Sequence, residues 1–147
     1  MAGLDADTPI PTDLVVHSAS RVLEIAYADG RRFRLPFEFL RVLSPSAEVR
    51  GHGPGQEVLQ VGKRDVTIVA LEGVGNYAVQ PRFSDGHATG IYSWDYLLHL
   101  CEQQDRLWAE YLAKLQAAGA SRDPAPAPGA VPADDTSAPM ASKEVRR

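Results

Sequence analysis

Four histidines, His17, His52, His87 and His99, and a single cysteine, Cys101, are the side chains here best suited to hold a metal ion or to attack a substrate. A tight zinc site needs three or four nitrogen or sulfur donors brought to one point, and the histidine spacing gives no such set. His99 falls beside an apolar helical stripe, two residues after Leu97, and is expected to be solvated or partly packed. His52 lies in a glycine-rich stretch. His17 ends a short strand and His87 follows a tight turn, so these two are candidates to approach one another, but two ligands do not make a tight site. Cys101 sits on the apolar stripe, as a buried structural thiol does. Being alone, it excludes an intramolecular disulfide and a thiolate cage from this chain, and it fits a reducing compartment. Gly51, Gly53 and Gly55 lack the Lys-Ser/Thr of a phosphate loop, and Gly73-Val74-Gly75 leads into a strand pattern rather than a helix, so both read as turn glycines. There is no Gly-x-Ser-x-Gly elbow and no His-Glu-x-x-His pair. The expectation is a protein with no catalytic centre, no cofactor and no native metal site.

The elements that position these residues are legible from periodicity. Leu23, Ile25 and Tyr27 alternate with polar or small residues, Asp29-Gly30 interrupts, and Phe33 and Leu35 then alternate with Arg32 and Arg34. That is a hairpin. A two-residue turn would set Ile25 against Arg34 and mix the faces, whereas a three-residue loop, Ala28-Asp29-Gly30, pairs Ile25 with Phe33 and Leu23 with Leu35. The same device at Ser84-Asp85-Gly86 predicts Phe83 opposite His87 and Val79 opposite Ile91. Residues 66–71 form a β-branched run that predicts a buried central strand, and residues 36–43 predict a short helix. Ser93 and Asp95 open one long helix of about seven turns, which carries Leu97, Leu100, Cys101, Trp108, Tyr111, Leu112 and Leu115 and ends at Gly119. The predicted class is α+β, two-layered, with a largely antiparallel sheet of two hairpins plus a central strand, packed by the long C-terminal helix and the short one.

With 147 residues, 44% hydrophobic and 23% charged, one folded domain is expected. A net charge of −4 and a pI near 5.5 disfavour nucleic acid as the partner, although Arg31, Arg32, Arg34 and Arg41 cluster in sequence. Residues 1–13 show neither a basic start nor an apolar run and are expected to be flexible. No stretch reaches the roughly 20 apolar residues that span a bilayer, so no membrane association is expected and the expected location is the cytoplasm. Residues 14–119 form the expected domain. Residues 120–147, with Pro124, Pro126 and Pro128 among alanines and no aromatic residue, are expected to be a disordered tail. Residues 44–64 make a long connection of the kind that is a binding loop or a surface excursion.

The succession Asp29-Gly30, Leu40-Arg41, Gly75-Asn76-Tyr77-Ala78 and Asp85-Gly86-His87-x-x-Gly90-Ile91-Tyr92-Ser93-Trp94-Asp95-x-Leu97 resembles the gamma-butyrobetaine hydroxylase-like N-terminal domain, in its free-standing bacterial form, over residues 14–101. In carnitine-synthesis hydroxylases this domain precedes an iron- and 2-oxoglutarate-dependent catalytic domain, and related domains are fused to P-loop ATPases that carry iron–sulfur clusters. The resemblance implies a structural zinc held at the positions of Ser44, Ser46, Val49 and His87. Here two hydroxyls and a valine replace three thiolates, so the implied site is degenerate and the zinc is expected to be absent. No iron-binding triad follows the domain, so oxygenase activity is not expected either.

These features together predict a non-catalytic binding or adaptor module, a detached accessory domain acting beside a partner protein. Tyr77, His87, Tyr92 and Trp94, near one end of the second hairpin, are the candidate partner-binding surface; the competing expectation, stronger for Trp94 and Tyr77, is that the aromatics fill the joint between hairpin and helix, which leaves His87 the better surface candidate. The alternative expectation is an accessory factor in metal or iron–sulfur cluster handling, with His17, His87 and Cys101 shared across a dimer. The hairpin edges and the long 44–64 connection could each support self-association, though neither specifies it.

Overall fold

A computed structural model describes residues 8–51 and 57–124. Its first sheet is antiparallel in the order β1-β2-β3, with β1 at Asp13–His17, β2 at Val22–Ala26 and β3 at Arg32–Pro36. The β2–β3 register pairs Ile25 with Phe33 and Leu23 with Leu35, as the alternation requires. Tyr27 N–H donates to Arg31 O at 2.9 Å and Gly30 N–H to Tyr27 O at 3.0 Å, which closes the three-residue loop, and Gly30 takes φ +94°. Few residues other than glycine hold that backbone at low cost. One face buries Leu23, Ile25 and Leu35. On the other face Glu24 accepts from Arg32 at 2.7 Å and from Arg34 at 3.4 Å, and lies 2.7 Å from His17 Nε2.

The second sheet is a separate antiparallel unit, β4-β5-β6, formed by Ile68–Val74, Ala78–Phe83 and Tyr92–Ser93. The expected single sheet is therefore two, because the first hairpin leads into helices and not into a pairing strand. Nor is the β-branched run central: β5 holds the middle, while β4 lies at an edge with Val69 60% exposed. The Ser84-Asp85-Gly86 loop closes as predicted, with Phe83 N–H bonded to His87 O at 2.9 Å and Gly86 at φ +90°. Further along, the register departs by one residue. Val79 faces Tyr92, not Ile91, because residues 88–91 leave the ladder. The shift turns Tyr92 inward, fully buried, and leaves Ile91 43% exposed.

Helix α1, Phe37–Val42, follows directly on β3, and α2, Ala47–Arg50, forms a short turn inside the long connection. The expected long helix is two, α3 at Trp94–Glu102 and α4 at Gln104–Ala118. Gln103, at φ −109° and ψ 18°, breaks the helical geometry, although its N–H still bonds His99 O at 2.9 Å. The cause lies in the stripe: the next inward positions after Leu97 and Cys101 are Gln104 and Asp105, which do not favour burial. The Ser93 side chain caps α3 and left-handed Gly119 ends α4, as expected.

One core joins both sheets to the helices, with Leu23, Ile25, Leu35, Phe37, Phe39, Val79, Phe83, Tyr92, Leu97 and Leu100 at its centre. Each fully buried large side chain stabilises the fold by roughly 1.5–3 kcal/mol. Packing reaches past the expected boundaries at both ends. Thr12 N–H bonds Ala26 O at 2.8 Å, and β1 already includes Asp13. After Gly119, Ser121 and Arg122 carbonyls accept from Gly62 and Arg64, and the Arg122 guanidinium binds Glu38 bidentately at 2.7 and 2.8 Å. The remainder of the tail, His52 and most of residues 1–13 lie outside the described residues. Among the described residues no helix is long and apolar enough to cross a membrane.

Candidate functional site

Two places on the molecule gather the residues singled out by sequence. The first is a buried polar cluster. The Ser84-Asp85-Gly86 turn points His87 inward, and the chain after α1 brings Ser44 and Ser46 to meet it. Ser44 Oγ lies 2.9 Å and Ser46 Oγ 3.3 Å from His87 Nε2, while His87 Nδ1 lies 3.0 Å from Glu48 Oε1. With Nδ1–H donating to the carboxylate, Nε2 is left to accept from the serine hydroxyls. Glu48 also accepts from the Thr89 hydroxyl at 3.1 Å. Val49, the fourth position implied by the resemblance, is buried beside them in sequence. A partly exposed ionic knot supports the turn: Asp85 accepts from the buried Arg41 Nε at 2.9 Å, from Lys63 Nζ at 2.6 Å and from the His87 N–H at 3.2 Å.

Burial, followed by the positive charge of Arg41, pulls His87 below its ordinary range, against the opposing pull of Glu48 and Asp85. The imidazole is therefore held neutral. For Asp85, burial pushes the carboxyl up, but Lys63, the His87 N–H and Arg41 together outweigh it and hold the group at about 2. Both folded-state values lie below the unfolded ones, so in each window the unfolded chain binds more protons and stability falls with pH. Expected first is a loss of thermal stability as pH drops below the ordinary histidine value of 6.5. A second loss is expected between the ordinary carboxyl value of 3.8 and about 2. Thermal melts across this range check it: His87→Gln should flatten the first decline, and an unchanged profile would contradict the assignment.

Hydroxyl, imidazole and carboxylate stand here in the order of a serine-hydrolase relay. Access decides against that chemistry. Ser44 is 1% exposed, and Gly90 lies so near that an added Cβ would sit 2.2 Å from its Oγ. No substrate reaches the hydroxyl in this arrangement. Zinc does not fit either: one imidazole, two neutral hydroxyls and a valine are not a zinc donor set. Hydrogen bonds hold the two segments together in its place. Elsewhere, His17 is engaged with Glu24 on the first sheet and does not meet His87. Cys101 is buried, and burial pushes its thiol up to about 12, far from a reactive thiolate.

The expected surface of Tyr77, His87, Tyr92 and Trp94 does not exist as one surface. Tyr92 is fully buried, with its hydroxyl on Leu40 O at 2.5 Å. Trp94 is buried, with Nε1 on Asn76 O at 2.8 Å, and His87 is in the cluster just described. Tyr92 and Trp94 fill the joint between the second sheet and α3. Tyr77 alone of the four is exposed, at 40%. It borders the second place, an open groove of about 660 Å³ lined by Pro45, Arg50, Tyr77, Ile91, Ser93, Asp95, Tyr96 and His99. Its volume lies within the range of ligand sites. Sequence reasoning missed most of this groove. The hairpin rule sets Ile91 opposite Val79 rather than on a groove, and Arg50 comes from a connection whose path the sequence does not specify.

The gamma-butyrobetaine hydroxylase-like N-terminal family model matches residues 14–98, from the first strand into α3. Two solved solution structures are similar to this chain. One is 47% identical, with TM-score 0.71, covering 84% of this chain and 98% of the other. The second is 51% identical, with TM-score 0.70, covering 83% and 91%. A crystal structure of a protein of unknown function from Acidithiobacillus ferrooxidans, of the DUF971 family, is 42% identical with TM-score 0.53, covering 66% of this chain and 97% of that one. No curated protein matches.

Proposed function

Since the chain belongs to the gamma-butyrobetaine hydroxylase-like N-terminal family, we propose that it acts as a non-catalytic binding module that docks a partner protein through the groove bordered by Tyr77 and Ile91. The observation that carries this is the pairing of two exposed large apolar side chains, 40% and 43% exposed, on a rigid frame of sheet and helix. Tyrosine beside an aliphatic residue, rimmed by polar groups, is the composition of an interface anchor. The frame is held by hydrogen bonds: Trp94 N–H donates to Tyr77 O at 3.1 Å, and β6 is paired with β5. Nucleic acid is a poor fit as occupant, because the exposed Arg32 and Arg34 of the first sheet are both paired with Glu24. A role in metal or cluster handling draws no support from Cys101, His17 and His87, which are buried or engaged in separate parts of the fold.

The test is a pair of surface variants. Tyr77→Ala combined with Ile91→Ala is expected to weaken a captured partner complex at least about tenfold, roughly 1.4 kcal/mol, with the fold intact by circular dichroism. Val69→Ala, at a still more exposed apolar site on β4, is expected to leave the affinity unchanged. Equal loss from both variants, or loss from Val69→Ala alone, sinks the proposal.

A further inference from the structure

Resting on the groove as a docking site, we infer that its occupant is a short acidic and apolar peptide segment of the partner, with an Asp or Glu placed to meet Arg50 and a neighbouring bulky side chain laid on Tyr77 and Ile91. The charges lining the groove carry this. Asp95 is already satisfied: it accepts from the Ser93 hydroxyl and stands in the first turn of α3, where the helix N-terminus offsets a negative charge. Arg50 is the reverse case. It is exposed and makes no ion pair among the described residues, so its charge is the one left unmet.

Arg50 is also held in place. Its guanidinium carbon lies 4.9 Å from the centroid of the Tyr96 ring, and the Tyr96 hydroxyl is tied to Leu43 O at 2.5 Å, so the platform under the cation is fixed. A guanidinium set over a fixed ring in this way is positioned to offer N–H donors to a carboxylate. In the same groove, Tyr77 and Ile91 present the apolar half of the site. A carboxylate with a bulky apolar neighbour satisfies both halves together. The protein is acidic overall, with a net charge of −4, so the unmet positive charge at Arg50 is a local feature, and the surrounding acidic surface disfavours all but a fitted segment.

The experiment is selection of a random heptapeptide display library against the purified full chain and against its Arg50→Glu variant. The wild type is expected to enrich peptides that pair Asp or Glu with an aromatic or large aliphatic residue. A synthetic consensus peptide is expected to bind Arg50→Glu at least about tenfold more weakly, and to recover when its acid is changed to lysine. Arg50→Gln, which removes the charge without reversing it, should give an intermediate loss, and added salt should weaken the wild-type complex. A consensus without an acid overturns the inference; if that peptide is still lost on Tyr77→Ala, the docking site itself stands. Peptides indifferent to both Arg50→Glu and Tyr77→Ala overturn both. A wild-type dimer in sedimentation equilibrium that Arg50→Glu dissociates assigns the groove to a second copy and likewise overturns the inference.

Discussion

Gly90→Ala is expected to destabilise the protein by about 2–3 kcal/mol, the scale of an overpacked core site. The new methyl carbon would sit 2.2 Å from Ser44 Oγ, 3.2 Å from Pro45 Cδ and 3.3 Å from Tyr92 Cε1. None of these neighbours yields easily. Ser44 is tied to His87 at 2.9 Å, and Tyr92 is fully buried with its hydroxyl bonded to Leu40 O. For a chain of this length the loss corresponds to a fall in Tm of roughly 5–10 °C. The clash is chiefly with one atom, which makes it separable. Ser44→Gly removes that atom, so the Gly90→Ala and Ser44→Gly double variant should be more stable than the sum of the single effects by about 1 kcal/mol or more. Urea melts of the four proteins decide it, and strict additivity would show that Gly90 does not pack on Ser44 as described.

Changing Ser44, Ser46 and Val49 together to cysteine is expected to create a site that takes up one zinc ion per chain, whereas the wild type takes up none in stoichiometric amount. The reason is convergence. Ser44 and Ser46 both reach the same nitrogen of His87, and the other ring nitrogen faces Glu48 at 3.0 Å, the carboxylate position that orients a ligating imidazole. Three thiolates and that nitrogen complete a zinc donor set. With zinc in about thousandfold excess over its Kd, the folded variant should gain about 4 kcal/mol, and its melting temperature should rise by roughly 8–16 °C and fall again with a chelator. Elemental analysis and thermal melts of both proteins measure this. A triple variant without zinc would mean that residue 49 does not share the point on which the other three converge.

Much of the fold was legible because several signals agreed on each element. The first hairpin needed a three-residue loop to keep Ile25 and Leu35 on one face, and Gly30 supplied the backbone for it. Ser93 and Gly119 marked the two ends of the C-terminal helical region. What failed did so for physical reasons. Ile91 and Tyr92 are both apolar, so alternation could not tell which one faced Val79, and the excursion of residues 88–91 that decides it depends on Gly90 packing against Ser44. A β-branched run such as residues 66–71 marks a strand but not its place in a sheet, and β4 proved to be an edge. The break at Gln103 lay hidden in a stripe that merely weakens at Gln104 and Asp105.

The candidate sites were less legible still, because both are built from distant segments. Ser44 and His87 stand 43 positions apart, and only the resemblance to the family placed them together. No local signal could have joined Arg50 to Tyr77 and Tyr96, since their meeting depends on α2, on the β4–β5 turn and on the angle of α3. Exposure was misjudged for Tyr92 and His87, which read as surface groups yet are buried. Trp94 fills the joint between hairpin and helix, its Nε1 bonded to a backbone carbonyl as in a core residue, whereas Tyr77, which suited the same joint, is exposed.

The central claim is that the open groove, and not the buried Ser44–His87 cluster, is where this protein meets its partner. Site-specific photo-crosslinking tests it most directly, with a benzoylphenylalanine placed at position 77 in one protein and at position 69 in another, each irradiated in the producing cell. The account predicts one dominant adduct from position 77, lost when Ile91→Asp is added, and no matching adduct from position 69. An adduct from position 69 alone, or one from position 77 that persists with Ile91→Asp, would contradict it.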